Sequence, residues 1–364
     1  IGINTKRNPF WQKTVVTKVE QLFIGESSTP RFRAINEDVI HLEKAQTSDG
    51  GVLVNEEGAV VAFWSCYLST SGGQDAQLFR GLPVRVVLDA LEAIKQKKAL
   101  RSLETELWPI TLDKAIGRGL PQDWVDIFAA NPRRNVLSIR RIIAGTASSK
   151  LLKDGDLLLA IDGKPVKNIR DVEEGTQKPV VSLSVLRDEK ISTIEVETTQ
   201  LDGSGTSHIV FWCGALLQDS HRGVAHKGFL PKGVYICRWF YGSPSQKYGL
   251  RASCWITHVD DTPTPNLESF LKVIQTHKNG QFVRLKVMSF KANTRVLTLK
   301  VDYHYWPSFE LRRENCSWVL HEIALQDSEE PKALEENDNP TPEENTTVTT
   351  DEMAKKVDIA ESIN

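Results

Sequence analysis

The chain has 364 residues, of which 40% are hydrophobic and 25% charged, and its formal net charge is −2 at pH 7. This length suits two or three ordinary domains, because a single hydrophobic core rarely extends beyond about 200 residues. No apolar run approaches the roughly 20 residues that a membrane-spanning helix needs, and no dense Lys/Arg stripe suggests a nucleic-acid surface. We therefore expect neither a membrane nor a nucleic-acid partner.

The cysteines are odd in number and widely spaced, and they include no C-x-x-C pair; they are Cys66, Cys213, Cys237, Cys254 and Cys316. A disulfide framework or a zinc site would require paired spacing. The pattern therefore predicts reduced thiols in an intracellular protein, with no metal and no cofactor.

Residues 1–101 begin with short alternating apolar runs at 14–19, 51–54 and 59–64. The turn sequence at 55–58 between the last two runs predicts a hairpin. From 83 to 100, apolar residues recur at helical spacing behind Pro83, which suits the first turn of a helix. We expect a β-rich unit closed by a helix. The chain begins without an initiator Met, and we interpret it as a fragment of a longer protein.

Residues 102–200 and 201–307 resemble two copies of one module. Gly145-Thr146-Ala147-Ser148 in the first copy corresponds to Gly242-Ser243-Pro244-Ser245 in the second. Each copy continues with a hydrophobic strand, a turn containing Pro, a short helix (169–174; 267–274) and two strands (180–186 and 191–198; 282–287 and 295–301). The apolar residues of 308–325 predict that this segment packs on the second module.

Residues 326–364 contain twelve acidic residues against three Lys, and few hydrophobic ones. Such a segment cannot bury enough apolar surface to offset its conformational entropy. We predict a disordered acidic tail.

Four motifs carry a family resemblance: Trp212-Cys213-Gly214-Ala215-Leu216-Leu217-Gln218, Gly242-Ser243-Pro244, Tyr248-Gly249-Leu250 and His304-Tyr305-Trp306-Pro307. The modules resemble PDZ domains in the circularly permuted form of the HtrA/Deg proteases. The resemblance spans about residues 31–313 and is most specific to the large fungal and plant type, with two protease-like halves and four PDZ domains. It implies a β-rich α+β chain: a degenerate trypsin-like β-barrel half (1–101), two PDZ-like domains (102–200 and 201–325) and the tail (326–364).

A PDZ site adds a peptide strand to a sheet edge and holds the peptide carboxylate in a nest of N–H groups, where a Gly permits close approach. Trp212, Cys213, Gly214, Ala215 and Leu216 fit this pattern, and we predict that they bind peptide. The alternative interpretation of this stretch is a buried core strand with a glycine bend.

The corresponding stretch of the first module is Leu103-Glu104-Thr105-Glu106. A glutamate stands there where a glycine is expected, and its charge would repel the C-terminal carboxylate of a peptide. We therefore expect the second module to bind peptide and leave open whether the first binds any ligand.

The N-terminal unit resembles the second barrel of a trypsin-like protease. Aligning Gly50-Gly51 with the nucleophile motif of active relatives places Asp49 where the serine belongs. A carboxylate cannot replace a histidine-activated serine in amide hydrolysis. Ser48 lies one residue early, and a misplacement of about 1 Å already costs roughly a hundredfold in rate. We predict no catalytic residues in this chain.

The resemblance implies a non-catalytic, peptide-binding and regulatory segment of an HtrA-type serine endopeptidase that acts in protein degradation or quality control. The expected partners are peptide or protein C-termini or extended segments, the protease half of the same protein, and further copies in a homo-oligomer. The alternative is a free-standing PDZ scaffold without protease activity. We expect an intracellular protein of the nucleus, with the plastid or cytoplasm as alternatives.

Overall fold

Antiparallel strands dominate this chain. The computed structural model describes residues 1–3, 6–27, 29–44, 50–71, 74–203 and 205–325. The strands within these ranges form four sheets, and among the helices only one is longer than eight residues. This is the expected β-rich α+β class. None of the described helices is long and apolar enough to cross a membrane. The predicted acidic tail lies outside the described residues.

The N-terminal half is a sheet of seven strands in the order β2-β1-β5-β6-β7-β4-β3, followed by helix α1. Its elements are β1 (Gly2–Ile3), β2 (Pro9–Phe10), β3 (Val16–Gln21), β4 (Asp38–Leu42), β5 (Gly51–Val54), β6 (Val60–Ser71), β7 (Gln74–Pro83) and α1 (Val84–Lys95). The predicted hairpin joins β5 to β6, and the Asn55 side chain closes its turn by accepting from the backbone N–H of Ala59 at 2.8 Å.

Helix α1 begins directly after Pro83, as the sequence predicts, but it ends five residues earlier than expected. The backbone turns into the left-handed region at Lys97, and the chain resumes as a strand at Leu100. The apolar side of the helix is not covered by the described residues, because Leu88 and Ile94 remain 51% and 71% exposed.

The first module is a sheet in the order β14-β13-β11-β10-β9, with β12 paired to β11, while β8 pairs with β15 where the chain enters and leaves the module. Its elements are β8 (Leu100–Ser102), β9 (Thr105–Thr111), α2 (Leu112–Ile116), α3 (Gln122–Ala129), β10 (Asn135–Ile142), α4 (Ser148–Leu151), β11 (Leu157–Ile161), β12 (Lys164–Pro165), α5 (Ile169–Gly175), β13 (Val180–Arg187), β14 (Lys190–Glu197) and β15 (Thr199–Leu201).

The second module extends its sheet by three further strands, in the order β22-β21-β19-β18-β17-β16-β23-β24, with β20 paired to β19. Its elements are β16 (His208–Trp212), β17 (Ala215–Gln218), α6 (Arg222–Ala225), β18 (Val234–Trp239), α7 (Pro244–Lys247), β19 (Cys254–Val259), β20 (Thr262–Pro263), α8 (Leu267–Ile274), β21 (Phe282–Ser289), β22 (Thr294–Lys300), β23 (Phe309–Glu314) and β24 (Ser317–Glu322). The apolar segment at 308–325 therefore joins the sheet as β23 and β24.

The predicted repeat is visible in the helices α5 and α8. Each begins after an asparagine, Asn168 or Asn266, whose side chain accepts from the backbone N–H three residues later, at 3.0 and 2.9 Å. This is the arrangement that stabilises a helix N-terminus, because those N–H groups have no partner within the helix. Both helices then bury their apolar residues against their own sheet.

The segment between β3 and β4, residues 22–37, which we call the connector, lies across both modules. Its Glu26 pairs with Arg141 of the first module and with Lys227 of the second, the latter at 3.2 Å. Lys227 also donates to the carbonyl of Ser27 at 2.7 Å. His226 is buried beside these contacts, with 4% of its surface exposed.

Burial, together with the positive charges of Arg222, Arg33 and Arg141, lowers the pKa of His226 to about 4. The unfolded chain therefore binds this proton more readily than the folded one. His226 therefore does not destabilise the fold above about pH 6.5, and it lowers the free energy of unfolding as the pH falls from 6.5 to 4, by roughly 3 kcal/mol in total.

We expect the H226Q variant to lose less stability than the wild type between pH 7 and pH 4. Urea unfolding at a series of pH values measures the difference. Replacement of His304, which is exposed, is the control and should leave the pH dependence unchanged. If the free energy of unfolding fell equally with pH in wild type and H226Q, the lowered pKa of His226 would be contradicted.

Candidate peptide-binding site

The five residues predicted to bind peptide lie together in one hairpin of the second module. Strands β16 and β17 pair antiparallel, with Trp212 opposite Ala215. Cys213 and Gly214 form the turn, and both have positive φ, 49° and 72°. Two consecutive left-handed residues are typical of the tight turn that matches the twist of a hairpin. Gly214 is thus required by the turn itself.

This turn is packed inside the module. Trp212, Cys213 and Ala215 have no exposed surface, whereas Leu216 is half-buried. The carbonyls of Cys213 and Gly214 accept from the backbone N–H groups of Ser245 at 3.1 Å and Phe240 at 2.8 Å. The turn is therefore held against the segment that leads into α7.

Gly214 has no room for a side chain. A Cβ placed on it would lie 2.1 Å from the Cβ of Ser243 and 3.0 Å from the indole ring of Trp306. Sequence reasoning missed the role of these two residues as neighbours of the turn, although both belong to motifs that carry the family resemblance. Ser243 is also the N-cap of α7, accepting from the backbone N–H of Gln246 at 3.2 Å.

Strand β17 has neighbours on both edges, β18 on one and β16 on the other. A peptide added to β17 would need the edge that β16 occupies. Strand β16 buries alternate residues, Val210 and Trp212, in the same cluster as the residues of helix α8. The Trp212 ring lies 5.4 Å from Phe270 of α8, nearly perpendicular to it. Strand β16 thus buries every second side chain in the cluster that includes the residues of helix α8, as an added peptide strand would.

Burial raises the pKa of two groups in and beside this hairpin. It raises the pKa of the Cys213 thiol far above its usual value and that of the Tyr303 hydroxyl to about 12. The Tyr303 hydroxyl lies 3.4 Å from the indole nitrogen of Trp212, which donates to it. Both groups therefore stay neutral at pH 7, and the thiol is not a nucleophile.

The matching loop of the first module holds two buried carboxylates. Glu104 has a positive φ of 55°, and its carboxylate accepts from Arg222 of the second module at 2.6 Å. Burial raises the pKa of Glu104, while Arg222 opposes this rise. Glu106 pairs with Arg33 of the connector and lies 3.6 Å from Arg140. The loop therefore binds cationic side chains of the same chain.

The predicted nucleophile position is only partly described. Ser48 and Asp49 lie outside the described residues, and the absence of catalytic residues stays a prediction. Gly50 and Gly51 lead into β5, and a Cβ on Gly51 would lie 2.4 Å from the carbonyl oxygen of Ile1. His41 on β4 contacts the carboxylate of Glu20 on β3 at 2.9 Å. The described residues contain no cluster of ligands that could hold a metal ion.

The G214A variant should lose about 2–4 kcal/mol of stability, because it combines backbone strain with a clash against Ser243. G163A is the matched control: Gly163 has a similar φ of 75° but no atom within 4 Å of a Cβ. It should lose only about 1 kcal/mol. Urea unfolding of both variants checks the difference, and equal losses would show that the turn is not tightly packed.

Residues 205–279, which lie in the second module, match the family model of a PDZ-like domain. The chain is 34% identical to Protease Do-like 7 of Arabidopsis thaliana over 347 residues, which cover 86% of this chain and 32% of the relative. It is 33% identical to Pro-apoptotic serine protease NMA111 of Debaryomyces hansenii, over 89% of this chain and 34% of the relative. The chain thus spans about a third of the length of these relatives.

Among solved structures, the HtrA-type protease AlgW with a tripeptide matches at 19% identity and a TM-score of 0.34, over 52% of this chain and 59% of that one. AlgW with a decapeptide matches at 18% identity and a TM-score of 0.30, over 52% and 55%. The similarity to these sequence relatives extends over both modules and the N-terminal half. The chain is thus similar in sequence to HtrA/Deg-type proteases with PDZ domains, and its second module contains a PDZ-like domain.

Proposed function

We propose that this chain is a non-catalytic, regulatory segment of an HtrA-type serine endopeptidase of protein degradation or quality control, and that its second module binds C-terminal or extended peptides. The observation that carries the proposal is the arrangement of the Cys213–Gly214 turn, strand β17 and helix α8. A turn, the strand after it and a flanking helix are the parts with which a PDZ domain takes up a peptide strand. The sequence similarity to HtrA-type proteases, and the match of residues 205–279 to a PDZ-like domain, support the same role.

One further feature supports regulatory partners. The apolar side of α1, with Leu88, Leu91 and Ile94 exposed, is the kind of surface that packs against another protein segment. We propose that it contacts the protease half of the same protein or a further copy in a homo-oligomer. The proposed compartment is the nucleus, which is what the family resemblance of the sequence implies.

The proposed lack of catalysis rests on Asp49, which aligns with the nucleophile. We expect no hydrolysis of unfolded casein by the chain, and no labelling by a fluorophosphonate probe, which reacts with activated serines. An S48A variant should behave identically. Labelling of the wild type that disappears in S48A would overturn this part of the proposal.

The position of β16 determines how a peptide would bind. Because β16 covers the receiving edge of β17, we propose that the peptide replaces it and places apolar side chains where Val210 and Trp212 now lie. Peptides with apolar residues at the last and third-last positions should therefore bind best, since side chains two apart point to the same face of a strand.

A C-terminal peptide library applied to the whole chain tests this proposal, with hydrogen exchange read at Ile209, Val210 and Phe211. We expect saturable binding of apolar C-termini and faster exchange in β16 when peptide is bound. Peptides amidated at the C-terminus are the matched control and should bind more weakly.

A second candidate function is purely architectural, and it is favoured by the complete burial of the turn and the paired edges of β17. In that case no library member would bind a folded sample, and exchange in β16 would not change. The modules would then hold the parts of a protease together. Alternatively, they would belong to a free-standing scaffold without protease activity. Binding without any change in β16 would also contradict the proposed site.

A further inference from the structure

The outer edge of the first module is the end strand β9, which has β10 as its neighbour on one side. In such a strand the backbone groups of alternate residues point to the free side. Here those residues include Thr105 and Leu107, directly after the Glu104 position. This is the edge that corresponds to β17 in the second module, so it is the place where a peptide strand would be added.

The connector and the end of β3 satisfy this edge with side-chain amides. Asn36 donates from Nδ2 to the carbonyl of Thr105 at 2.7 Å and accepts at Oδ1 from the N–H of Leu107 at 2.8 Å. Gln21 then donates from Nε2 to the carbonyl of Leu107 at 2.5 Å. One carboxamide thus bonds both a carbonyl and the N–H two residues further on, as one residue of an added parallel strand does.

Charge complementarity strengthens this contact. The Arg33 guanidinium donates to both carboxylate oxygens of Glu106, one of them at 3.1 Å, and both side chains are largely buried. A bidentate Arg–carboxylate pair combines strength with a defined geometry. Removal of Arg33 would leave the buried Glu106 carboxylate with Arg140 alone, at 3.6 Å, and removal of Glu106 would take away the carboxylate that Arg33 pairs with; either loss costs more than the loss of an exposed pair.

The stretch 103–106 carries negative charge, whereas a nest that binds a carboxylate presents N–H donors. Glu104 and Glu106, both buried, accept from guanidinium groups, whereas a peptide C-terminus would bring a third negative charge to the same place. A segment that binds this edge therefore needs a cationic side chain followed three residues later by a carboxamide. Arg33 and Asn36 supply these two groups.

We propose that the edge of β9 is a recognition site that binds an internal Arg-x-x-Asn segment in place of a C-terminus, and that the connector of the same chain occupies it. Asn36 has a φ of 57°, a left-handed conformation that asparagine tolerates better than most residues. The first module therefore clamps the N-terminal half and is closed to other segments while the connector is in place. This inference does not depend on peptide binding by the second module.

The test uses the whole chain with the paired substitutions R33A and N36A. We expect the Leu107 amide to exchange at least tenfold faster than in the wild type, while amides of β10 keep their protection. The matched control is R85A, which removes an arginine of the same half whose pair with Asp89 is exposed. Unchanged protection of Leu107 in the double variant overturns the proposal.

A labelled peptide of residues 31–38 provides the second measurement. It should bind the double variant saturably and the wild type at least tenfold more weakly, because the wild-type edge is occupied. The same peptide with alanine at both recognition positions, and a peptide with a free apolar C-terminus, should not bind at this edge. Equal binding to wild type and variant, or no binding to a variant whose Leu107 amide exchanges fast, contradicts the proposal. If the double variant does not fold, the single N36A variant carries both measurements.

Discussion

A strand at the edge of a sheet leaves a row of backbone N–H and C=O groups without partners, and both modules of this chain depend on how that row is satisfied. In the second module, β16 folds back through a two-residue turn and pairs along β17. In the first, side-chain amides from the N-terminal half bond to Thr105 and Leu107 of β9. PDZ domains use the same edge for ligands, so each solution bears directly on what the modules bind.

The two solutions differ in their energetic basis. Strand β16 is held mainly by apolar burial, since Val210 and Trp212 have no exposed surface. The contact at β9 is polar and depends on desolvated ion pairs, with Glu104 and Glu106 matched by Arg222 and Arg33. Apolar burial tolerates changes of partner as long as shape is kept, whereas a buried charge requires its specific counterpart. This contrast is why we place exchangeable peptide binding in the second module and a fixed clamp in the first.

The connector links these local features into one arrangement. Its Glu26, Arg33 and Asn36 contact the first module, and Glu26 also contacts Lys227 of the second. His226 is buried at this junction, and its burial, together with the neighbouring cationic groups, lowers its pKa and keeps it neutral at pH 7. A chain of this design suits a regulatory segment, because displacement of one short loop would alter the edge of the first module and the charge environment at the second.

Much of the local structure followed from the sequence alone. The glycine–serine motifs, the hydrophobic strands, the turns containing Pro and the short helices revealed the repeat, and α8 has the predicted bounds, because hydrophobic period is a local property. Leu103-Glu104-Thr105-Glu106 also predicted a loop unsuited to a C-terminus. Tertiary structure alone decided that β16 covers β17, that Ser243 and Trp306 close on Gly214, and that Asn36 bonds to β9. These contacts join residues far apart in the chain, and no local pattern encodes which segment pairs with a free edge.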